Sequence, residues 1–295
     1  MSYVDPGLLR KLPEGKKPIM VSASGASYWA RTAKLTVVDA NGREDNYFFK
    51  VHQGERGRKM VSTEYESMMT LYRIMPEIVA SPVGWGAYEE MEDTYFCVCE
   101  YHQMSDDVPD VSHFPALVAE LHKQGASPDG RFGYALETYG GNNPQLFPPS
   151  DRREECFRLG LGAIMDAEVK THGPDADLEK LIEQTVTKVI PRLPKPLETE
   201  GRSIIPRLVH GDLWDGNFSL DAFMDEYVKH MRISKLTEEF DDRGALYNLR
   251  FDIHASSLYP GNLSFRERNR ETLRRLVEKY GEGFEGYAKR HGIGA

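Results

Sequence analysis

The segment Leu208-Val209-His210-Gly211-Asp212-Leu213-Trp214-Asp215-Gly216-Asn217 gathers more chemistry-bearing side chains than any other stretch of the chain. An apolar pair leads into His-Gly-Asp, and Asn217 follows Asp212 by five residues. A carboxylate presented on such a loop can take the proton of an attacking hydroxyl. An amide oxygen brought back to the same place can face a hard cation, and Gly216 permits the tight backbone path this requires. The competing reading is a polar turn that merely contains Asp and Asn.

The pattern resembles the catalytic loop of kinase-like phosphotransferases, in which the Asp is the base and the Asn a magnesium ligand. Such a loop needs partners upstream. Lys50 lies in Tyr47-Phe48-Phe49-Lys50-Val51, a strand that follows the hairpin signal Asn41-Gly42. It suits a lysine that grips nucleotide phosphates. Residues 58–75 place Met60, Met68, Leu71, Tyr72 and Met75 near helical spacing, and Pro76 ends the run. Glu64 in that helix suits the ion-pair partner of Lys50; Glu66, two positions on, falls on another face.

Ser22–Ser27 (SASGAS) is a small-residue turn whose amides, around Ser24, Gly25 and Ser27, could cover phosphates. A single glycine makes a plain turn nearly as good a reading. Residues 96–104 would be a hinge where adenine meets backbone groups, with Glu100 and His102 as candidates. Cys97 and Cys99 share one strand face by period two and read as core. Gly281–Gly286 spells G-x-G-x-x-G, but it follows a helix and contains two glutamates, so it is not a dinucleotide fingerprint.

Strands 83–88 and 95–101 complete a β-rich first part, residues 1–104. The polar segment 105–112 suits a linker. The remaining part, 105–295, reads as helical over 115–124, 151–172, 176–190, 219–231, 241–259 and 265–281, with a long loop over 131–150 and a proline-rich connector over 191–206. The order predicts an α+β pattern, and the resemblance to the kinase-like catalytic loop implies a two-lobed protein-kinase-like fold, with a nucleotide-binding N-lobe, a C-lobe with catalytic loop and acceptor site, and ATP in the cleft.

Composition narrows the partners. With 295 residues, 40% apolar and 28% charged, the chain can bury a sizeable core. Its net charge of −9 argues against general nucleic-acid binding and against docking on anionic membranes. Three cysteines make no disulfide framework, and no stretch approaches 18 apolar residues. These features lead to the expectation of a cytoplasmic monomer.

Beyond the loop itself, the chain resembles the fructosamine/ketosamine 3-kinase family, protein-ribulosamine 3-kinases of fungal type. The resemblance rests on Tyr47–Lys50, Arg58–Glu64, Leu117–His122, Arg131–Tyr134, Gly141–Gln145 and, most specifically, His210–Asn217. The Leu-Trp-x-Gly-Asn ending separates it from aminoglycoside and choline kinases, which share only the His-x-Asp core. The resemblance implies ATP- and Mg²⁺-dependent phosphorylation of the sugar 3-hydroxyl of ketosamines on glycated proteins or small molecules, a deglycation repair. It implies Asp212 as base, Asn217 as metal ligand, Lys50 and Glu64 at the phosphates, and His210 and Trp214 as loop supports. The central loop 131–145 would shape the acceptor site.

One family part is missing. Two strands and a metal-binding Asp should follow the Asn, yet Phe218–Tyr227 already reads as a helix with Ser219 at its N-cap. Asp221 lies too close to Asn217 to replace that Asp. Asp252, in Asp252-Ile253-His254-Ala255-Ser256-Ser257, sits in a helical context. Two further readings follow: a pseudokinase that binds nucleotide or a partner without turnover, and a small-molecule kinase of the aminoglycoside or choline type.

Overall fold

Alternating side chains and a tight turn build the first sheet. Residues 31–38 alternate polar and apolar, Asn41-Gly42 closes the hairpin, and the apolar run at 47–51 returns antiparallel. In the computed structural model, which describes residues 3–25, 28–105, 107–211, 213 and 220–293, these become β2 and β3. The elements in chain order begin with α1 (Pro6–Leu9), β1 (Lys17–Ala23), β2 (Arg31–Val38), β3 (Glu44–Gln53), α2 (Gly54–Ile74), β4 (Pro82–Ala87), β5 (Thr94–Glu100) and α3 (Phe114–Gln124). The sheet order is β1-β2-β3-β5-β4, with antiparallel neighbours throughout.

The continuation is β6 (Thr138–Gly140), β7 (Asn143–Gln145), α4 (Arg153–His172), α5 (Ala176–Gln184), α6 (Ile190–Arg192), α7 (Leu220–His230), α8 (Phe240–Leu258), α9 (Ser264–Tyr280) and α10 (Gly283–His291). The chain divides into two compact units: Met1–Gln124 with His210–Leu220, and Gly125–Val209 with Asp221–Ala295. No helix among the described residues is long and apolar enough to cross a membrane.

In the first unit, one sheet face carries Leu35, Val37, Tyr47, Phe49, Phe96 and Val98, covered by Leu8 of α1 and Leu12 just after it. Full burial of each such side chain is worth about 1.5–3 kcal/mol. The Asp5 carboxylate caps α1 through the Gly7 amide and accepts from the Glu89 and Glu90 amides, so the β4–β5 turn is tied to the amino-terminal segment. The opposite face carries Lys50 and Cys97, and α2 packs against β3, β4 and β5. Gly54, at φ +78°, makes the turn from β3 into α2.

Helices build the second unit's core. Leu161, Ile164 and Met165 of α4 meet Leu246, Leu249 and Ile253 of α8 and Leu273 and Leu276 of α9. Buried ion pairs brace the assembly: Glu168 with Arg266, and Arg192 with Glu239.

Four features depart from the sequence-based expectation. The half-exposed edge strand β1 begins Lys-Pro and lacks clean alternation, which is why the pattern hides it. The expected loop 131–150 holds the three-residue strands β6 and β7, too short to show periodicity. Residues 176–190 are not one regular helix: a π-turn over Thr185–Val189 separates α5 from α6. Finally, Gly283, inside the G-x-G-x-x-G decoy, opens the helix α10.

Candidate nucleotide and catalytic site

Strand β3 places Lys50 directly opposite Cys97 of β5, and α2 brings Glu64 over the same face. The Lys50 ammonium lies 2.7 Å from Glu64 Oε1. Burial opposes the charge on Lys50, but the Glu64 carboxylate outweighs it, and the net shift of the lysine is upward. The ammonium is therefore held charged and fixed in direction. Glu66, exposed on another face of α2, takes no part in this pair.

Cys97 and Cys99 flank this lysine as buried free thiols. Burial raises both, Cys99 to about 11, so they are neutral packing groups and not nucleophiles. Ser24 and Gly25 lie in the β1–β2 connection, with Gly25 at φ +75°. A left-handed glycine there turns the chain without a Cβ in the way. Ser27 lies outside the described residues.

At the end of β5, the Glu100 amide donates to the Ser81 carbonyl and the Tyr101 amide to Asn46. The Glu100 and His102 side chains are exposed and 3.6 Å apart. His210 is exposed, and Gly211 takes φ +83° as the chain enters the motif. Asp212, Trp214 and Asn217 lie outside the described residues, as does Ser219, the expected N-cap.

Helix α7 opens at Leu220, so only Phe218 and Ser219 separate Asn217 from it in sequence. Two residues cannot form a two-stranded hairpin, and a hairpin-borne carboxylate has no place there. Among the described residues no group of three His, Cys, Asp or Glu side chains could hold a metal. Asp252 lies within α8, where burial raises its carboxyl against the pull of Arg268. The described residues thus do not complete a kinase-type magnesium cage.

The segment around Asp252 has another task. Arg250, His254 and Ser257 form one stripe of α8 and receive the central loop: Arg250 donates to Gln145, His254 Nε2 lies 2.9 Å from the Gly140 carbonyl, and Asn143 donates to Ser257 Oγ at 2.9 Å. Sequence reading singled out both segments but not their pairing. The signal was the spacing 250, 254, 257, which puts three polar groups on one helix face.

A family model described as fructosamine kinase matches residues 32–228. The chain belongs to the fructosamine kinase family. It is therefore a kinase-type phosphotransferase by family, and the matched range runs from β2 into α7, through every candidate residue except those of the β1–β2 turn. Two solved structures of proteins assigned as fructosamine-3-kinases share the fold. The one from Thermobifida fusca has a TM-score of 0.67 and 17% identity, over 90% of this chain and 95% of that one. The one from Haemophilus somnus has a TM-score of 0.69 and 14% identity, over 92% and 97%. The expected α+β protein-kinase-like architecture is borne out: an antiparallel sheet with one long helix, followed by a mainly helical part. A search of curated protein sequences found no significant match to this fructosamine kinase family member.

Proposed function

We propose that this chain transfers the terminal phosphoryl group of ATP to the sugar 3-hydroxyl of a ketosamine, on a glycated protein or a small molecule. The observation that carries the proposal is the Lys50–Glu64 pair at 2.7 Å within a fructosamine kinase family member. A charged lysine pinned by a helix glutamate is the arrangement that positions nucleotide phosphates in kinases. In this reading residues 1–104 hold the nucleotide: Lys50 binds the phosphates, Glu64 orients Lys50, Ser24, Gly25 and Ser27 cover the phosphates, and the Glu100–His102 backbone meets adenine. Asp212 takes the proton of the attacking hydroxyl, supported by His210 and Trp214.

A second reading is favoured by one observation, the start of α7 at Leu220. A family member without the metal-binding Asp would bind nucleotide and not turn it over.

ADP release from ATP with ribulosyl-lysine, with and without Mg²⁺ and beside Asp212→Asn, separates them. Turnover lost in the Asp212→Asn chain supports the ketosamine kinase. Nucleotide binding that ignores Mg²⁺, with no turnover in either chain, supports the second reading and sinks the first. Turnover with an aminoglycoside or choline and none with ribulosyl-lysine would overturn the substrate assignment.

A further inference from the structure

Most buried and half-buried arginines of the second unit meet a carboxylate. Arg192, Arg243, Arg266 and Arg270 each meet a carboxylate: Glu239 for the first two, Glu168 and Asp175 for the others. Arg153 and Arg250 have none within 4.0 Å of their guanidinium groups among the described residues. Arg250 is half-buried. Its Nε is buried without a hydrogen-bond partner, and its Nη2 donates to neutral Gln145 at 3.3 Å.

The two guanidinium groups lie over aromatic rings. Arg250 lies 4.6 Å from the Phe147 centroid and 4.7 Å from that of Phe251; Arg153 lies 4.4 Å from Tyr247. Stacking occupies the flat faces and leaves the N–H edges to bond. The two groups belong to one place. Arg153 and Cys156 lie three residues apart on α4, Tyr247 and Arg250 three apart on α8, and the two helices pack together. The Cys156 thiol is raised by burial to about 11, against the pull of both arginines.

We propose that Arg153 and Arg250 form a binding site for a small oxyanion, a phosphate or a carboxylate, in the second unit. The site does not rest on the phosphotransferase reading. A half-buried cation without a counter-charge is costly, and an oxyanion bound bidentately along a guanidinium edge supplies both charge and acceptors. General basicity does not account for it, because the chain carries a net charge of −9. Glu198 Oε1 accepts from the Arg153 backbone amide at 3.4 Å. Burial raises its carboxyl, against the pull of Arg153.

The test is calorimetric titration of the full chain with inorganic phosphate and, separately, with acetate, at constant ionic strength set with chloride, alongside thermal melting. The expected result is saturable binding with a rise in Tm. Arg250→Gln and Arg153→Gln each weaken it by about tenfold or more, while Lys50→Met leaves it in place. Tighter binding of phosphate assigns a phosphoryl ligand, and equal or tighter binding of acetate a carboxylate. Should Arg250→Gln fail to fold, Arg250→Lys keeps the charge, loses the fork and is expected to bind several-fold more weakly. Absence of saturable binding by both ions overturns the proposal, as does binding that is unchanged in Arg153→Gln and Arg250→Lys.

Discussion

Lys50 and Glu64 are fourteen residues apart in sequence and 2.7 Å apart in space, one on β3 and the other one face of α2 away from the exposed Glu66. An ion pair links the strand to the helix that follows it. The Glu64 carboxylate keeps the lysine charged against burial and fixes its direction.

Lys50→Met is expected to weaken ATP binding by about tenfold or more, because it removes the ammonium that Glu64 orients. Glu64→Gln should weaken it less, since the lysine remains but loses its anchor. Glu66→Gln should leave binding within about twofold. Equilibrium titration with a fluorescent ATP analogue measures all three, and equal losses at Glu64 and Glu66 would contradict the geometry.

The three thiols should be silent in the native protein. Cys97, Cys99 and Cys156 are buried, and burial lifts each thiol, the latter two to about 11. At pH 8 a disulfide reagent should titrate none of them within minutes and all of them after denaturation. Rapid native labelling of any one would show that its strand or helix opens easily.

Stability should fall in acid through Asp242. Burial alone would raise this carboxyl, but bonds from Lys279, Tyr280 and Arg275 bring it down to about 2. The folded value lies below the unfolded one, so the contribution is full above about pH 4 and disappears as pH falls through about 2. Asp242→Asn should cost about 1–3 kcal/mol at pH 7. Its penalty relative to the parent should shrink below pH 4, as followed by urea denaturation at stepped pH.

Gly160 is a packing site. A Cβ there would collide with the Phe147 ring, which itself stacks against Arg250. Gly160→Ala should therefore destabilise the second unit by about 1–3 kcal/mol, despite alanine's better helix propensity. An unchanged urea midpoint would mean that the loop carrying Phe147 yields freely.

What the sequence determined by itself was local and periodic. The alternation of residues 31–38, the Asn-Gly turn and the apolar stripe of 58–75 give β2, β3 and α2 from the chain alone, because strand and helix periods are written in adjacent residues. The start of α7 so soon after Asn217 was legible for the same reason, and with it the missing hairpin. Tertiary structure alone decided which side chains meet. That Glu64 and not Glu66 reaches Lys50 depends on how α2 lies across the sheet, and the edge strand β1 exists only because β2 offers it a ladder. The docking of the 140–145 loop on His254 and Ser257, and the unpaired guanidinium of Arg250 beside it, join residues more than a hundred positions apart. No local pattern encodes such a pairing, because it is selected by the packing of α4 against α8 and the burial that follows.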